Sequence, residues 1–314
     1  MGLRPILLAF LLLLPVPAVA WPDRPIQLLV GFAPGGNIDI AARLATPFLE
    51  RHLGGAAITV VNRPGAGGAI MLAEAAAARP DGHLLAFVSF PALVTALHDS
   101  APRYTLGSFA YVGLLTDEPY TLFVGGATPY RSLAELVAAA RARPEEITIA
   151  GAGAGGAPQL ALQQLEQAAG IRFTWVPMQG AAQALTLVQG GHAAGAVSTV
   201  SLTVKQHQEG QVRILGLMDA ARWARTPDIP TFREQSFAVE AGSARGFALP
   251  AGTPEPILRR FEAAIRRTAE DPGFQAQAAR DYLIVRHMDQ AAMTAFVQAQ
   301  DRHYGALWRR SPWR

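Results

Sequence analysis

Apolar and polar positions along the chain fall into two alternating rhythms. From Ile26 to Val30 apolar residues run together and stop at Gly31, where Pro34-Gly35-Gly36 forces a turn. Beyond Ile38 the apolar positions Ile40, Leu44, Pro47 and Phe48 recur at about helical spacing as far as Arg51. A second strand over 58–61 is closed by Asn62-Arg63-Pro64-Gly65, and an Ala-rich helix follows over 71–78. A third strand falls at 84–88. Strand, helix, strand, helix, strand with short connections predicts a parallel sheet covered by helices.

The rhythm then continues with strands at 110–115 and 120–124. Ser132-Leu133-Ala134-Glu135 sets a hydroxyl three residues before a carboxylate, which marks a helix start, and that helix runs to about Arg141. Strands at 147–150 and 173–176, helices at 159–168 and 181–188, a strand-like run at 193–197 and a strand at 212–218 follow. The alternation has restarted without repeating any motif of the first half, so a second α/β unit is expected rather than an internal repeat. Past Arg225-Thr226-Pro227-Asp228-Ile229-Pro230 comes a strand near 245–249. Thr253-Pro254 then opens a helix, with Thr253 as cap, whose Leu258, Phe261 and Ile265 share a face. Asp271-Pro272 begins another helix, and 289–304 reads as the last. Two α/β lobes are expected: 21–124 for the first, 125–240 for the second, and 241–314 returning to the first. The crossings fall near Gly125 and Glu240, leaving the C-terminal helices on the first lobe.

What precedes Trp21 does not join this pattern. Arg4, an apolar run over 6–14 and the small-x-small step Ala18-Val19-Ala20 make the three-part form of a cleaved secretion signal. The run is too short to span a bilayer, so cleavage after Ala20 and export are expected, with an uncleaved anchor as the rival. The 314-residue chain would leave 314 − 20 = 294 residues. That suits one large domain or two ordinary ones. Half the residues are hydrophobic, enough for a sizeable core, and the absence of Cys removes disulfides, thiol nucleophiles and lipid attachment on cysteine. The formal charge of +3 includes Arg4 and no acid in the signal, giving 3 − 1 = +2 for the remainder. Lys205 is the only lysine, and the Arg-rich, Trp-containing end (Trp308, Arg309, Arg310, Trp313, Arg314) is expected to fray in solvent rather than bind nucleic acid.

Candidate chemistry concentrates in glycine-rich turns. Phe32-Ala33-Pro34-Gly35-Gly36-Asn37-Ile38-Asp39 lies between strand and helix, at the carboxyl edge where open α/β sheets bind ligands. Paired glycines let backbone N–H groups approach an anion, and the helix start adds unpaired donors and its dipole. Asp39 either accepts from a ligand donor or steadies the helix's first turn. The loop is neither a dinucleotide fingerprint nor a Walker loop. Asn62-Arg63-Pro64-Gly65-Ala66-Gly67-Gly68 and Gly151-Ala152-Gly153-Ala154-Gly155-Gly156-Ala157 occupy similar positions, the latter in the second unit and able to face the first loop across a cleft. Each is equally readable as an ordinary tight turn. The seven His are scattered without metal spacing, and Ser89, Ser198 and Ser201 lack a nucleophile elbow, so no catalytic residue, metal or cofactor is expected. An exported enzyme on small organic acids is the alternative function.

In these loops the chain resembles the exported solute receptors of tripartite tricarboxylate transporters, the Bug family. The resemblance begins at Trp21-Pro22-Asp23-Arg24-Pro25-Ile26 and runs through Val30 to Arg43, then Val60-Val61-Asn62-Arg63-Pro64-Gly65-Ala66-Gly67-Gly68. It continues in Pro80-Asp81-Gly82-His83, Val176-Pro177-Met178-Gln179-Gly180, Asp228-Ile229-Pro230-Thr231-Phe232 and Ala248-Leu249-Pro250-Ala251-Gly252-Thr253-Pro254. The resemblance implies a two-lobed periplasmic binding protein (Venus flytrap) fold: two Rossmann-like parallel-rich sheets with a small carboxylate in the central cleft. It places Phe32, Pro34, Gly35, Gly36, Asn37 and Asp39 on one side with Ser89. Ala152, Gly153, Gly155, Gly156, Ala157, Pro177, Met178, Gln179, Gly180, Ser198 and Thr199 line the other.

It further implies capture by backbone N–H groups, hydroxyls and bridging waters, without turnover, by a monomer serving a membrane permease pair or a sensor kinase. The chain departs from the family pattern at Ala152 and Ala157, where hydroxyls are usual. It departs again at Met178-Gln179, and at Ala194 and Ser198 near the next strand. A lost hydroxyl against a carboxylate costs roughly 1–3 kcal/mol if nothing replaces it. Either the ligand carries an apolar or aromatic body beneath one carboxylate or the chain has drifted from solute capture, and the first is the favoured expectation.

Overall fold

The computed structural model describes residues 21–99, 101–310 and 312, so the secretion signal and the end of the basic tail lie outside the described residues. The chain begins as its pattern predicts. Strands β1 (Ile26–Val30), β2 (Ile58–Asn62) and β3 (Leu84–Phe90) alternate with helices α1 (Asn37–His52) and α2 (Ala69–Ala76). β1 pairs in parallel with both β2 and β3, Leu28 opposite Val60 and Leu85. A helix that the pattern did not reveal, α3 (Ala92–Asp99), follows β3 directly.

The strands expected at 110–115 and 120–124 are one element, β4 (Phe109–Gly125). Asp117-Glu118-Pro119 reads as a break in sequence, yet Glu118 is only 1% exposed and the strand runs through it. Up to Pro119, β4 pairs antiparallel with β9 (Gly242–Pro250) and with the short β10 (Val285–Met288). From Tyr120 it pairs instead with β7 (Gly195–Thr199) and β8 (Val212–Leu217). The second section is completed by β5 (Thr148–Ala152), parallel to both β6 (Thr174–Met178) and β7.

The α/β class therefore holds, but the two separate parallel-rich sheets do not. The ten strands form one mixed sheet with the path β2-β1-β3-β9-β4-β7-β5-β6, because β4 is long enough to belong to both sections. Its partners change at Pro119, which has no N–H to donate to a ladder. The chain returns at the same level: Gly242 is the register partner of Pro119, and the Tyr120 N–H donates to the Ala241 carbonyl at 2.8 Å.

Helices cover both faces of each section. On one face of the first, α1 meets α8 (Glu255–Glu270) and α9 (Pro272–Arg280), and Phe48, Phe87, Phe247, Phe261 and Phe274 fill the core between them. On the other face α2, α3 and α10 (Gln290–Arg310) bury Leu72, Leu93, Met293 and Val297. The second section is sandwiched by α4 (Leu133–Ala142) and α5 (Ala157–Ala169) on one side, and by α6 (Ala181–Gln189) and α7 (Val200–Gln208) on the other. Burying such a phenylalanine contributes about 2–3 kcal/mol, so the helices are held on the sheet rather than hinged from it.

Two local expectations change. Thr253 does not cap α8; its hydroxyl donates to the Pro250 carbonyl at 2.7 Å, and Pro254 takes the cap position. Trp308 to Arg310 do not fray, for they continue α10, and Trp308 packs against the core. Among the described residues no helix is long and apolar enough to cross a membrane.

Candidate functional site

Where the sheet changes partners, five helices begin around one cavity of about 40 Å³. Gly36, Asn37 and Ile38 bring the start of α1, Ala92 that of α3, Gly156, Ala157 and Pro158 that of α5, and Gly180 and Ala181 that of α6. Ser198 stands one residue before Thr199, the cap of α7. The caps Gly36, Gly156, Gly180 and Thr199 all have extended backbones and make no side-chain cap bond. Side-chain caps do occur elsewhere, where the Glu135 N–H donates to Ser132 Oγ in α4 and Asp271 accepts from the Gly273 and Phe274 N–H groups in α9, but α2 and α8 also lack them. A helix start leaves N–H groups unpaired and carries about half a positive charge, so such a convergence is chemically suited to an anion. No charged side chain lines the cavity; its polar groups are Asn37, Ser89, Tyr120, Ser198 and Ser243.

Glycine is required where backbones meet. A Cβ on Gly156 would stand 2.6 Å from the Ala152 carbonyl oxygen, closing the turn that presents the start of α5. Gly35 holds φ at +78°, which side chains resist. The loop over 151–157 is stiffened from behind: Trp175 Nε1 donates to the Gly153 carbonyl at 3.1 Å, the Gly153 N–H to the Met178 carbonyl at 2.9 Å, and the Gly155 N–H to Gln159 Oε1 at 2.7 Å. The two sections touch across the cavity mouth. Asn37 Nδ2 donates to Thr199 Oγ1 at 2.8 Å, and a Cβ on Gly180 would lie 3.7 Å from Ala33 Cβ.

The structure brings together Phe32, Gly36, Asn37, Ser89, Ala152, Gly156, Ala157, Gly180 and Ser198 on the cavity wall. Pro34 and Gly35 form the exposed turn behind it, and Gly153 and Gly155 brace the second loop rather than line the cavity. Pro177, Met178 and Gln179, at the end of β6 and beyond it, do not line it either. Thr199 is fully buried behind Asn37. Asp39 is also off the wall: its carboxylate accepts from the Gly35 N–H at 3.0 Å, Arg43 Nε at 2.9 Å and Asn62 Nδ2 at 2.9 Å. Burial acts to raise its pKa, but these hydrogen bonds and the Arg43 charge prevail and hold it below the usual carboxylate range. Asp39 thus ties the first loop to α1 and to β2.

Sequence reasoning missed Tyr120 and Ser243, which stand beside the crossing on β4 and β9, and Phe90, Ala92 and Val197. Nothing local marks them; they meet only because the strands cross. Burial pushes the Tyr120 hydroxyl far above its ordinary value, so it stays a neutral donor. Ser198 Oγ is buried and has no partner among the described residues. A larger hollow of about 570 Å³ lies on the opposite face of the crossing, lined by Asp117, Arg222, Glu240 and Arg286 among others, but it gathers no helix start.

The family described as tripartite tricarboxylate transporter family receptor matches residues 41–311. The chain is 30% identical to the protein BugT of Bordetella pertussis over 274 residues, 84% of this chain and 83% of that one. The periplasmic binding protein BugD superposes with a TM-score of 0.87 at 28% identity, covering 92% of this chain and 98% of BugD. MatC of Rhodopseudomonas palustris, solved with malate bound, superposes with a TM-score of 0.85 at 27% identity, covering 90% and 98%. The chain belongs to the tripartite tricarboxylate transporter receptor family, and its work is to bind a solute rather than to turn one over.

Proposed function

We propose that this receptor captures a small carboxylate in the periplasm, holding one carboxylate group at the convergence of helix starts. The observation that carries the reading is that four helices begin around one cavity, at caps that make no side-chain bond, and that no charged side chain of the described residues stands on its wall. Each helix start contributes about 0.3–1 kcal/mol to an anion, and more in a partly buried setting. A small carboxylate as the solute agrees with MatC, a relative solved with malate bound. The wall is otherwise apolar, with Phe32, Ile38, Phe90, Ala152, Ala157 and Val197, so an acid with an apolar or aromatic body fits it best.

The molecule works as a two-lobed clamp in which the expected boundaries near Gly125 and Glu240 move to the crossings, with 21–119 and 242–314 as one lobe and 120–241 as the other. Its pivot is the pair of adjacent crossings at Pro119-Tyr120 and Ala241-Gly242. A cavity of about 40 Å³ has room for roughly three waters, so a ligand of malate's size enters when the lobes part and widens the cavity on which they close again. Ligand then favours the closed form only by its greater affinity for it. The segment 1–20 is the export signal, cleaved after Ala20, and the closed monomer delivers its solute to a membrane permease pair or a sensor kinase. A thermal-shift screen of small acids against their matched amides tests the reading. Acids that raise the melting temperature while their amides do not support it; stabilisation by amides alone overturns it.

A further inference from the structure

Beneath the cavity floor lies a charge that the neutral wall conceals. Arg245 on β9 is 0% exposed, the largest fully buried side chain among the described residues. Its Nη1 donates to Glu118, itself buried, and approaches Thr116 Oγ1 at 3.5 Å. Its Nε and Nη2 have no partner among the described residues. These two N–H groups are not arbitrary leftovers. They point in parallel from one edge of the planar guanidinium, at the spacing of a carboxylate's two oxygens, and form the fork by which arginine binds carboxylates two-handed.

Burying a charged group with two unmet donors is costly, so such a fork calls for an acceptor. The cavity is its neighbour. Arg245 is the direct cross-strand partner of Ser89, and Ser243 stands two residues along the same strand face; both line the cavity. Glu118, cross-strand partner of Ser243, precedes Tyr120 of the wall by two residues. Directly opposed residues have Cβ atoms about 5 Å apart, so the Arg245 side chain starts beside Ser89 of the wall, while its partner Glu118 also lines the larger hollow of about 570 Å³.

We infer that the free Nε–Nη2 edge of Arg245 receives a carboxylate of the bound solute when the lobes part to admit it, while Glu118 keeps the Nη1 side. Arg245 thereby selects for an anionic group at the floor, opposite the helix starts, and the preferred solute presents carboxylates at both ends of its apolar body. The inference rests on the carboxylate-receptor reading. It departs from that reading's neutral seating by adding one full charge. Glu118 opposes the incoming anion, which limits affinity and allows release.

Calorimetry with a panel of acetate, benzoate, malate, succinate and adipate, each beside its amide, tests it. The wild type is compared with Arg245→Met, Glu118→Gln and the double variant. The double variant removes both buried charges together and guards against misfolding. Expected are binding of at least one diacid, a loss of 30-fold or more in its affinity in Arg245→Met and the double variant, and a gain of several-fold in Glu118→Gln. A merely structural pair would not tighten binding when broken. Equal diacid affinity in the wild type and a folded double variant overturns the inference and leaves the receptor reading standing. If no acid binds the wild type, both fall.

Discussion

Asn37 and Thr199 form the contact whose removal reads out closure most cleanly. Thr199→Val keeps the shape of a fully buried residue and deletes the oxygen that accepts from Asn37 Nδ2 at 2.8 Å. Asn37 and Ser201, whose hydroxyl lies 3.2 Å from the same oxygen, are both half-buried and can turn to water, so no stranded donor inflates the cost. A neutral hydrogen bond contributes about 0.5–1.5 kcal/mol net. The bond joins the two sections of the sheet, so in the proposed clamp that energy belongs to the closed form alone. At about 1 kcal/mol, affinity falls roughly fivefold, since 1.4 kcal/mol is a factor of ten. The loss belongs in the dissociation rate, because the open form that first meets the solute lacks the bond. Stopped-flow binding with the tightest acid from the screen measures both rates. The cycle with Asn37→Ala separates the cross-lobe bond from any contact Asn37 makes with solute. A coupling below about 0.3 kcal/mol, or a change confined to the association rate, would refute the closure argument.

Three further outcomes follow from the same geometry. Ser198→Ala removes a buried hydroxyl that has no partner among the described residues, so melting should shift by under ~2 °C while acid affinity drops by about 1 kcal/mol or more; equal affinity by calorimetry counts against Ser198 as a ligand donor. Asp39→Asn should destabilise by about 2 kcal/mol at pH 7, since a charge-assisted bond to Arg43 is lost. The Asp39 pKa is lower folded than unfolded, so its contribution is complete above about pH 4 and disappears as pH falls through the folded value. Urea melts at pH 7 and pH 3 should therefore show the gap between wild type and variant closing, and a gap that widens in acid would reverse the sign of this argument. Ala157→Ser returns a hydroxyl to the wall and should raise the affinity ratio of malate to adipate by up to tenfold in competition binding; an unchanged ratio would mean that this position does not set polarity.

Much of the site was legible because glycine-rich turns before helices are local signals. The loops over 32–39 and 151–157 could be paired across a cleft from their positions alone, and nine of the named residues do stand on one wall. What escaped was set by tertiary structure. Tyr120, Ser243 and Arg245 meet only because β4 runs unbroken through Glu118 and Pro119 and lies beside β9. Buried Glu118 and Pro119 look like a break until Arg245 appears opposite. Helix α7 was missed since Val200-Ser201-Leu202-Thr203-Val204 is β-branched-rich and reads as strand. Asp39 presented two roles in sequence, and only Arg43, Asn62 and the Gly35 N–H around its carboxylate show which one occupies it.

The central claim is that converging helix starts hold an anion. Native mass spectrometry of the protein purified from a periplasmic expression host, followed by mild denaturation, identifies any small molecule it retains. The account predicts a released mono- or dicarboxylic acid with an apolar body at one per chain. Release of a neutral or cationic molecule at that stoichiometry would contradict it.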